Sequence, residues 1–334
     1  MSHEITRSDG MFTVRQAAWH GLGTVFEDYP SREVAQAEAH PWEPVAEPLY
    51  RKAISIEDDG MLFEKFEEAP GFVANVRSDN ADLLGIVSDS YTAVTNTELW
   101  DVAEALEGSG VDVMFETGGS LRGGSQVWVL LRLQEPLIVK GDMRGETIPY
   151  YALQNSHDGS GAFRGQATMT RIVCANTARV ADLDAKARGT EFTFRHTKNV
   201  GDRIEQARIA LSGWRQSLDD WQVQAEFLIE QKTEPLIAGR FLDRFIPMPN
   251  EALITERVRN NVIRDRAKWL EAYNGVTGEG LKDTAYGLVQ ASVEFLEWGR
   301  RAHNAESRFK RSFLTRNQMV SDAVELALDA VKAD

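Results

Sequence analysis

The spacing of apolar residues changes once along this chain, near residue 200, and that change constrains the fold more than any motif. Beyond it, Ile204, Ala207, Leu211, Trp214, Leu218, Trp221, Ala225 and Leu228 recur at alternating intervals of 3 and 4. Such a stripe belongs to a long helix with one buried face, and it suits pairing with another helix. "EALITERVRNNVIRDRAKWLEAY", "LKDTAYGLVQASVEFLEWGRRA" and a final segment read as further helices, set apart by "PMPN" and "GVTGEG".

Before residue 200 the pattern is short β runs. "KAISIE", "GFVANVR" and "LLGIVS" are rich in Val, Ile and Phe between Asp and Gly clusters. "VDVMFETGGSLRGGSQVWVLLRL" reads as two strands with a loose connection at Gly118, Gly119, Gly123 and Gly124. "EPLIVK", "ETIPYYALQNS", "AFRGQATMTRIVC" and "TEFTFRH" follow, the middle two pairing across "SHDGSG". Two helices interrupt the strands. "TNTELWDVAEALE" opens with a Thr95/Glu98 capping box, and "ANTARVADLDAKA" follows Cys174. The expectation is an α+β fold with a mostly antiparallel sheet core, packed helices, and an α-helical C-terminal half. Residues 1–45 read as an arm with little regular structure and one short helix capped by Ser31. Residues 46–199 form the α+β core, and 200–334 the helical region.

The 334 residues carry 37 basic and 51 acidic side chains, a net charge of −14, which disfavours loose binding of nucleic acid. The charge is uneven. From Pro41 to Gly110 there are 15 acidic and 4 basic residues; from Arg164 to Arg215 there are 10 basic and 5 acidic. A second basic cluster runs from Arg300 to Arg316. The sole cysteine, Cys174, excludes an intrachain disulfide. No leader pattern and no 18-residue apolar run are visible, so the expected setting is the cytoplasm.

Ser156, His157 and Asp158 are adjacent, yet sequential residues on a loop point apart and cannot relay a proton among themselves. Turn chemistry explains them better. No P-loop pattern and no His-Glu-x-x-His pair is present, so neither a catalytic residue, a metal nor a cofactor is expected. The more coherent set is basic: Arg164, Arg171, Arg179, Lys186, Arg188, Arg195 and Lys198, with Arg122 assisting from the preceding hairpin. Strand parity sets Arg164 with Thr168 and Thr170, and Arg171 oppositely, so one strand face cannot hold both arginines. They can still line a groove between sheet and helix, where phosphates meet Arg, Lys, Ser and Thr. Tyr150, Tyr151, Phe163, Phe192 and Phe194 suit base stacking, but strand aromatics more often fill a core. In "AWHGLG", Trp19 suits either an anchor that docks an arm onto a body or a neighbouring subunit, or a local cap over the same chain's core.

Taken together, "AWHGLGT", "QNSHDGSGA", "TRIVCANT" and "TAYGLVQASVEFLEW" resemble, in that order, the phage- and plasmid-like proteins built on a large domain of unknown function. The resemblance covers nearly the whole chain and implies a phage, plasmid or prophage setting in a bacterial host. The layout is also similar, at fold level, to phage single-strand annealing proteins of the recombination-mediator type. Those carry single-stranded DNA in a basic groove, without nucleotide, as rings or filaments. The expected function is therefore DNA binding, in its most specific form ATP-independent annealing, with single-stranded DNA and further copies of the chain as partners and no membrane. Two other classes stay open. One is a metal-dependent hydrolase of nucleic acid or nucleotide using His157, Asp158 and His196. The other is an assembly protein pairing through the Ile204–Leu228 stripe.

Overall fold

The computed structural model describes residues 10–15, 23–56, 62–107, 112–142, 146–171, 176–178, 191–194, 201–250, 255–275, 280–301 and 318–332. The chain opens with β1 (Met11–Val14), β2 (Thr24–Phe26) and α1 (Arg32–Ala39). A long hairpin, β3 (Pro44–Ile56) and β4 (Leu62–Arg77), leads to β5 (Leu83–Ser88) and α2 (Asn96–Glu107). Next come β6 (Val113–Leu121), β7 (Gln126–Leu133), β8 (Leu137–Ile138), β9 (Glu146–Ser156), β10 (Phe163–Arg171), β11 (Asn176–Ala178) and β12 (Glu191–Phe194). The C-terminal half holds α3 (Gly201–Glu230), α4 (Pro235–Phe245), α5 (Glu256–Asn274), α6 (Ala285–Glu294) and α7 (Gln318–Lys332). This is the expected α+β class. No described helix is long and apolar enough to cross a membrane.

The large sheet runs β11–β10–β9–β7–β6–β1–β2, with β12 also on β10 and β8 also on β9. Its pairs are antiparallel except β1 with β2. Alternation then sorts the side chains into two faces. Val127, Val129 and Leu131 of β7 share a face with Tyr151 and Leu153 of β9, and α2 packs on it through Leu99, Trp100 and Ala103. The opposite face buries Met11, Leu121, Trp128, Leu130 and Ala152. The first cluster draws residues from Phe12 to Ala327.

Four local readings differ from expectation. First, residues 1–45 are not a bare arm, since β1 and β2 extend the large sheet; strands of 4 and 3 residues are too short to show a period. Second, Gly118 and Gly119 lie inside β6, not in a loose loop. A Cβ on Gly118 would stand 3.0 Å from Phe12, and one on Gly119 3.0 Å from the Gly10 carbonyl, so their bareness admits β1. The β6–β7 connection is a tight 3₁₀ turn, Arg122–Gly124, with φ of 55°, 67° and 101°. Third, Asn176–Ala178 is a strand where a helix was expected; residues 179–190 lie outside the described residues. Fourth, the helical stripe is used at home: Leu218, Trp221, Ala225 and Leu228 are buried in the chain's own core with α6 and α7. The side chains of Ile204, Ala207, Leu211 and Trp214 lie outside the described residues.

Helix boundaries follow local chemistry. The Thr95 amide donates to Glu98 Oε2 at 2.7 Å, and the Glu98 amide donates back to Thr95 Oγ1 at 3.1 Å, a complete capping box. Glu43 adds a second carboxylate at the same end, accepting from the Asn96 and Thr97 amides at 2.6 and 2.9 Å. Ser31 precedes α1 as expected, but its hydroxyl donates to Glu33 rather than accepting from the helix backbone.

Candidate functional site

The β9–β10 connection, residues 157–162, joins separate parts of the molecule. The His157 ring is buried, with Nε2 3.0 Å from Asn96 Oδ1 at the start of α2. Its edge meets Trp42 at a centroid distance of 5.6 Å. The His157 amide donates to the Ser125 carbonyl at 2.8 Å, tying this turn to the β6–β7 turn. The His157 carbonyl accepts from Asn75 Nδ2 of β4 at 2.9 Å, and Ser125 Oγ donates to the Leu84 carbonyl of β5 at 2.7 Å. Arg77 lies over the Trp42 ring at 4.5 Å and pairs with Asp79 at 2.7 Å. A Cβ on Gly85 would stand 2.5 Å from the Asp158 Cα, so the turn sits directly on β5.

This geometry answers what Ser156, His157 and Asp158 do. Ser156 Oγ donates to Asp158 Oδ1 at 2.6 Å, and the Ser160 amide donates to the same oxygen at 2.8 Å, which closes the turn. Burial alone would push the Asp158 carboxyl up, but the hydrogen bonds from Ser156 and Ser160 hold it below the usual range. The imidazole is fully buried against Trp42 and Asn96. His196 lies outside the described residues, and among the described residues no group of three or more His, Cys, Asp or Glu side chains is placed to hold a metal.

On the outer face of the large sheet, beside that turn, lies an open pocket of about 270 Å³. Its floor is three neighbouring strands. Trp128 of β7 pairs with Gln154 of β9, which pairs with Arg164 of β10. Gln126 and Ser156 form the next rung, and Ser160 and Gly161 of the turn make the rim. Arg164 is half-buried, and among the described residues no hydrogen bond or ion pair engages its guanidinium. The cavity thus offers one unneutralised cation beside amide and hydroxyl groups, the set that suits an anionic ligand rich in acceptors. Asn155, between Gln154 and Ser156, turns to the opposite face, where its Nδ2 donates to the Val94 carbonyl at 2.9 Å.

The other end of this face is a separate polar cluster. Tyr29 donates to Glu116 at 3.1 Å and accepts from Arg132, while Arg15 lies over its ring at 4.9 Å. Burial pushes the Glu116 carboxyl up, against the pull of Arg132. Burial, with the Glu116 charge, also pushes the Tyr150 hydroxyl up.

The expected basic residues part company here. Arg122 is exposed on the β6–β7 turn, at the same end of the sheet as Arg164. Arg171 pairs with Thr147 at the far end of β10, seven residues from Arg164 and so about 23 Å away at the rise of a strand. A single groove through both would have to run the length of the strand. Arg179, Lys186, Arg188, Arg195, Lys198 and Trp19 lie outside the described residues. Of the aromatic residues, Tyr151, Phe163 and Phe192 are core: Phe163 and Phe192 meet at 5.4 Å, and none offers a free face. Sequence reasoning missed Gln126 and Gln154, although Gln154 opens "QNSHDGSGA" and its pairing opposite Arg164 follows once the hairpin register is known.

A family model described as Domain of unknown function (DUF932) matches residues 83–323, which span β5 to the middle of α7 and hold the whole pocket. Neither a curated protein nor a solved structure matches the chain.

Proposed function

We infer, for a chain that belongs to the DUF932 family, a DNA-binding function: single-stranded DNA held against the outer face of the large sheet at the β6–β7 and β9–β10 turns. The observation that carries this reading is Arg164, a half-buried guanidinium without a partner among the described residues, in an open pocket lined by Gln126, Gln154 and Ser160. A phosphodiester supplies a negative charge for the Arg164 guanidinium and acceptor oxygens for amide and hydroxyl donors. Arg122, exposed at the same end, extends the cation along the path of a backbone. The action is charge neutralisation and strand presentation, which needs no nucleotide and no bond chemistry. Annealing of complementary strands by a homo-oligomer is its most specific form, and the phage or plasmid setting follows from the motif resemblance. With an overall charge of −14, binding is local to this end of the sheet, and its salt slope is set by the few phosphate contacts made there.

The test is a titration of labelled oligothymidylate at several salt concentrations, with the wild type, Arg164→Glu and Arg122→Glu. Wild-type affinity should fall with rising salt. Arg164→Glu should weaken binding about tenfold, and each lost phosphate contact should flatten the log–log slope by about 0.7. No binding at low salt, or an Arg164→Glu curve that overlies the wild type, overturns the reading.

A further inference from the structure

The distal half of the β3–β4 hairpin leaves the body of the protein. β5 pairs only with Phe72–Val76 of β4, and the register breaks between Pro48 and Tyr50, where Gly71 opposite adopts φ of +82°. Beyond that kink, residues 50–56 and 62–68 form a two-stranded arm. Not one of residues 50–55 or 62–69 is buried. Antiparallel register sorts the arm into two faces. One holds Arg51 with Glu67, Ala53 with Lys65 and Ser55 with Phe63; the other holds Tyr50, Ile54, Leu62 and Phe66, interleaved with the Lys52–Glu64 pair and Glu68.

A two-stranded ribbon without a third layer is marginal in water, and large apolar side chains along one face give it something to lose by standing free. Its charges do not invite a strongly charged partner. Arg51 pairs with Glu67 at 2.7 Å, Lys65 with the same carboxylate at 2.7 Å, and Lys52 with Glu64 at 2.5 Å. The sequence joining the strands adds Glu57, Asp58 and Asp59, which repel nucleic acid and anionic lipid alike. The remaining match is a protein face that is mainly apolar and carries a few charges of both signs, as this one does with Lys52, Glu64 and Glu68, and an identical arm supplies one of the right size. Tyr50, Ile54, Leu62 and Phe66 are 58%, 69%, 67% and 75% exposed. At about 200 Å² for a large side chain, they offer about 500 Å² per copy, so two facing arms bury about 1,000 Å², the threshold of a specific interface.

We propose that the β3–β4 arm is a homodimerisation element, two copies packing their Tyr50–Ile54–Leu62–Phe66 faces together about a two-fold axis. The proposal rests on the homo-oligomer part of the function inferred above and not on its DNA part.

The experiment is the solution mass of the full chain by light scattering at micromolar concentrations. The wild type should have the mass of a dimer. The double variant Ile54→Glu, Phe66→Glu should have half that mass with an unchanged circular-dichroism spectrum, whereas Arg51→Ser on the opposite face should stay dimeric. A monomeric wild type, which would leave the arm to another protein or to nucleic acid, overturns the proposal. So does a double variant that remains dimeric, or an Arg51→Ser chain that is monomeric. A strict monomer that binds DNA defeats this proposal alone; a dimer that binds no DNA defeats only the DNA reading.

Discussion

Lowering the pH from 7 to 5 should remove about 2 kcal/mol of stability through one imidazole, that of His40. His40 ends α1 and is 1% exposed. Both ring nitrogens are engaged: Nε2 lies 2.9 Å from the Gly119 carbonyl, and Nδ1 accepts from Trp100 Nε1 at 3.1 Å. That pattern fits only the neutral ring protonated on Nε2, because a second proton would face the indole N–H. Burial, with the charge of Arg77, lowers the pKa from 6.5 to about 4, against the opposing pull of the Gly119 carbonyl. A histidine depressed in the folded state binds fewer protons than in the unfolded chain between those values, so stability rises with pH there. The full penalty at low pH is about 3 kcal/mol, and about 2 kcal/mol of it is felt at pH 5.

Other groups move in this window too. Glu116, raised by burial, works in the opposite direction and gains as the pH falls. Asp79 and Asp158, both lowered, lose stability only as the pH falls through the ordinary Asp value of 3.8, below this window. The comparison is therefore between the wild type and His40→Gln, whose amide keeps a donor and an acceptor but does not titrate. Urea melts of both proteins at pH 7, 6 and 5 should converge or cross by about 2 kcal/mol as the pH falls, with everything else common to both. Parallel stabilities across that range would refute the neutral, doubly bonded ring.

Two glycines should respond to alanine with opposite signs. Gly85→Ala places a Cβ 2.5 Å from the Asp158 Cα, backbone that the locked turn cannot move, and should cost about 2 kcal/mol in a urea melt. Gly239→Ala meets nothing within 4 Å on the exposed side of α4 and should stabilise by up to about 1 kcal/mol. Loss of the capping box in Thr95→Ala should lower the urea midpoint by about 1 kcal/mol of stability without changing the slope; an unchanged midpoint would mean that Glu43 alone suffices at that helix end.

What sequence could convey followed the range of the interaction. The Thr95–Glu98 box spans three residues, and it formed as read. Ser156 and Asp158 were legible as a turn for the same reason. The period change near residue 200 located the long helix α3, because burial of one helix face repeats along the chain itself. Gly118 and Gly119 were misread because a glycine gives the same signal in a loop and under a crossing strand, and the crossing strand starts more than 100 residues earlier. Length was lost for a similar reason. "KAISIE" was read as a short run, but it belongs to a strand of 13 residues whose partner, not its own composition, holds it extended. The polar groups of the pocket became neighbours only through register. Gln154 and Arg164 are ten residues apart in the chain and opposite each other in the sheet.

The turn that makes the pocket's rim is the same turn whose other side is fastened to β4, β5 and α2. Ser160 faces outward while Asp158 rests on Gly85 and His157 reaches Asn96. The rim therefore surrenders its conformational freedom when the chain folds, not when a ligand arrives. A guest meeting Ser160 and Gly161 finds their positions already fixed, so little ordering entropy is set against its contacts. The wall it touches moves only if two sheets and a helix move with it.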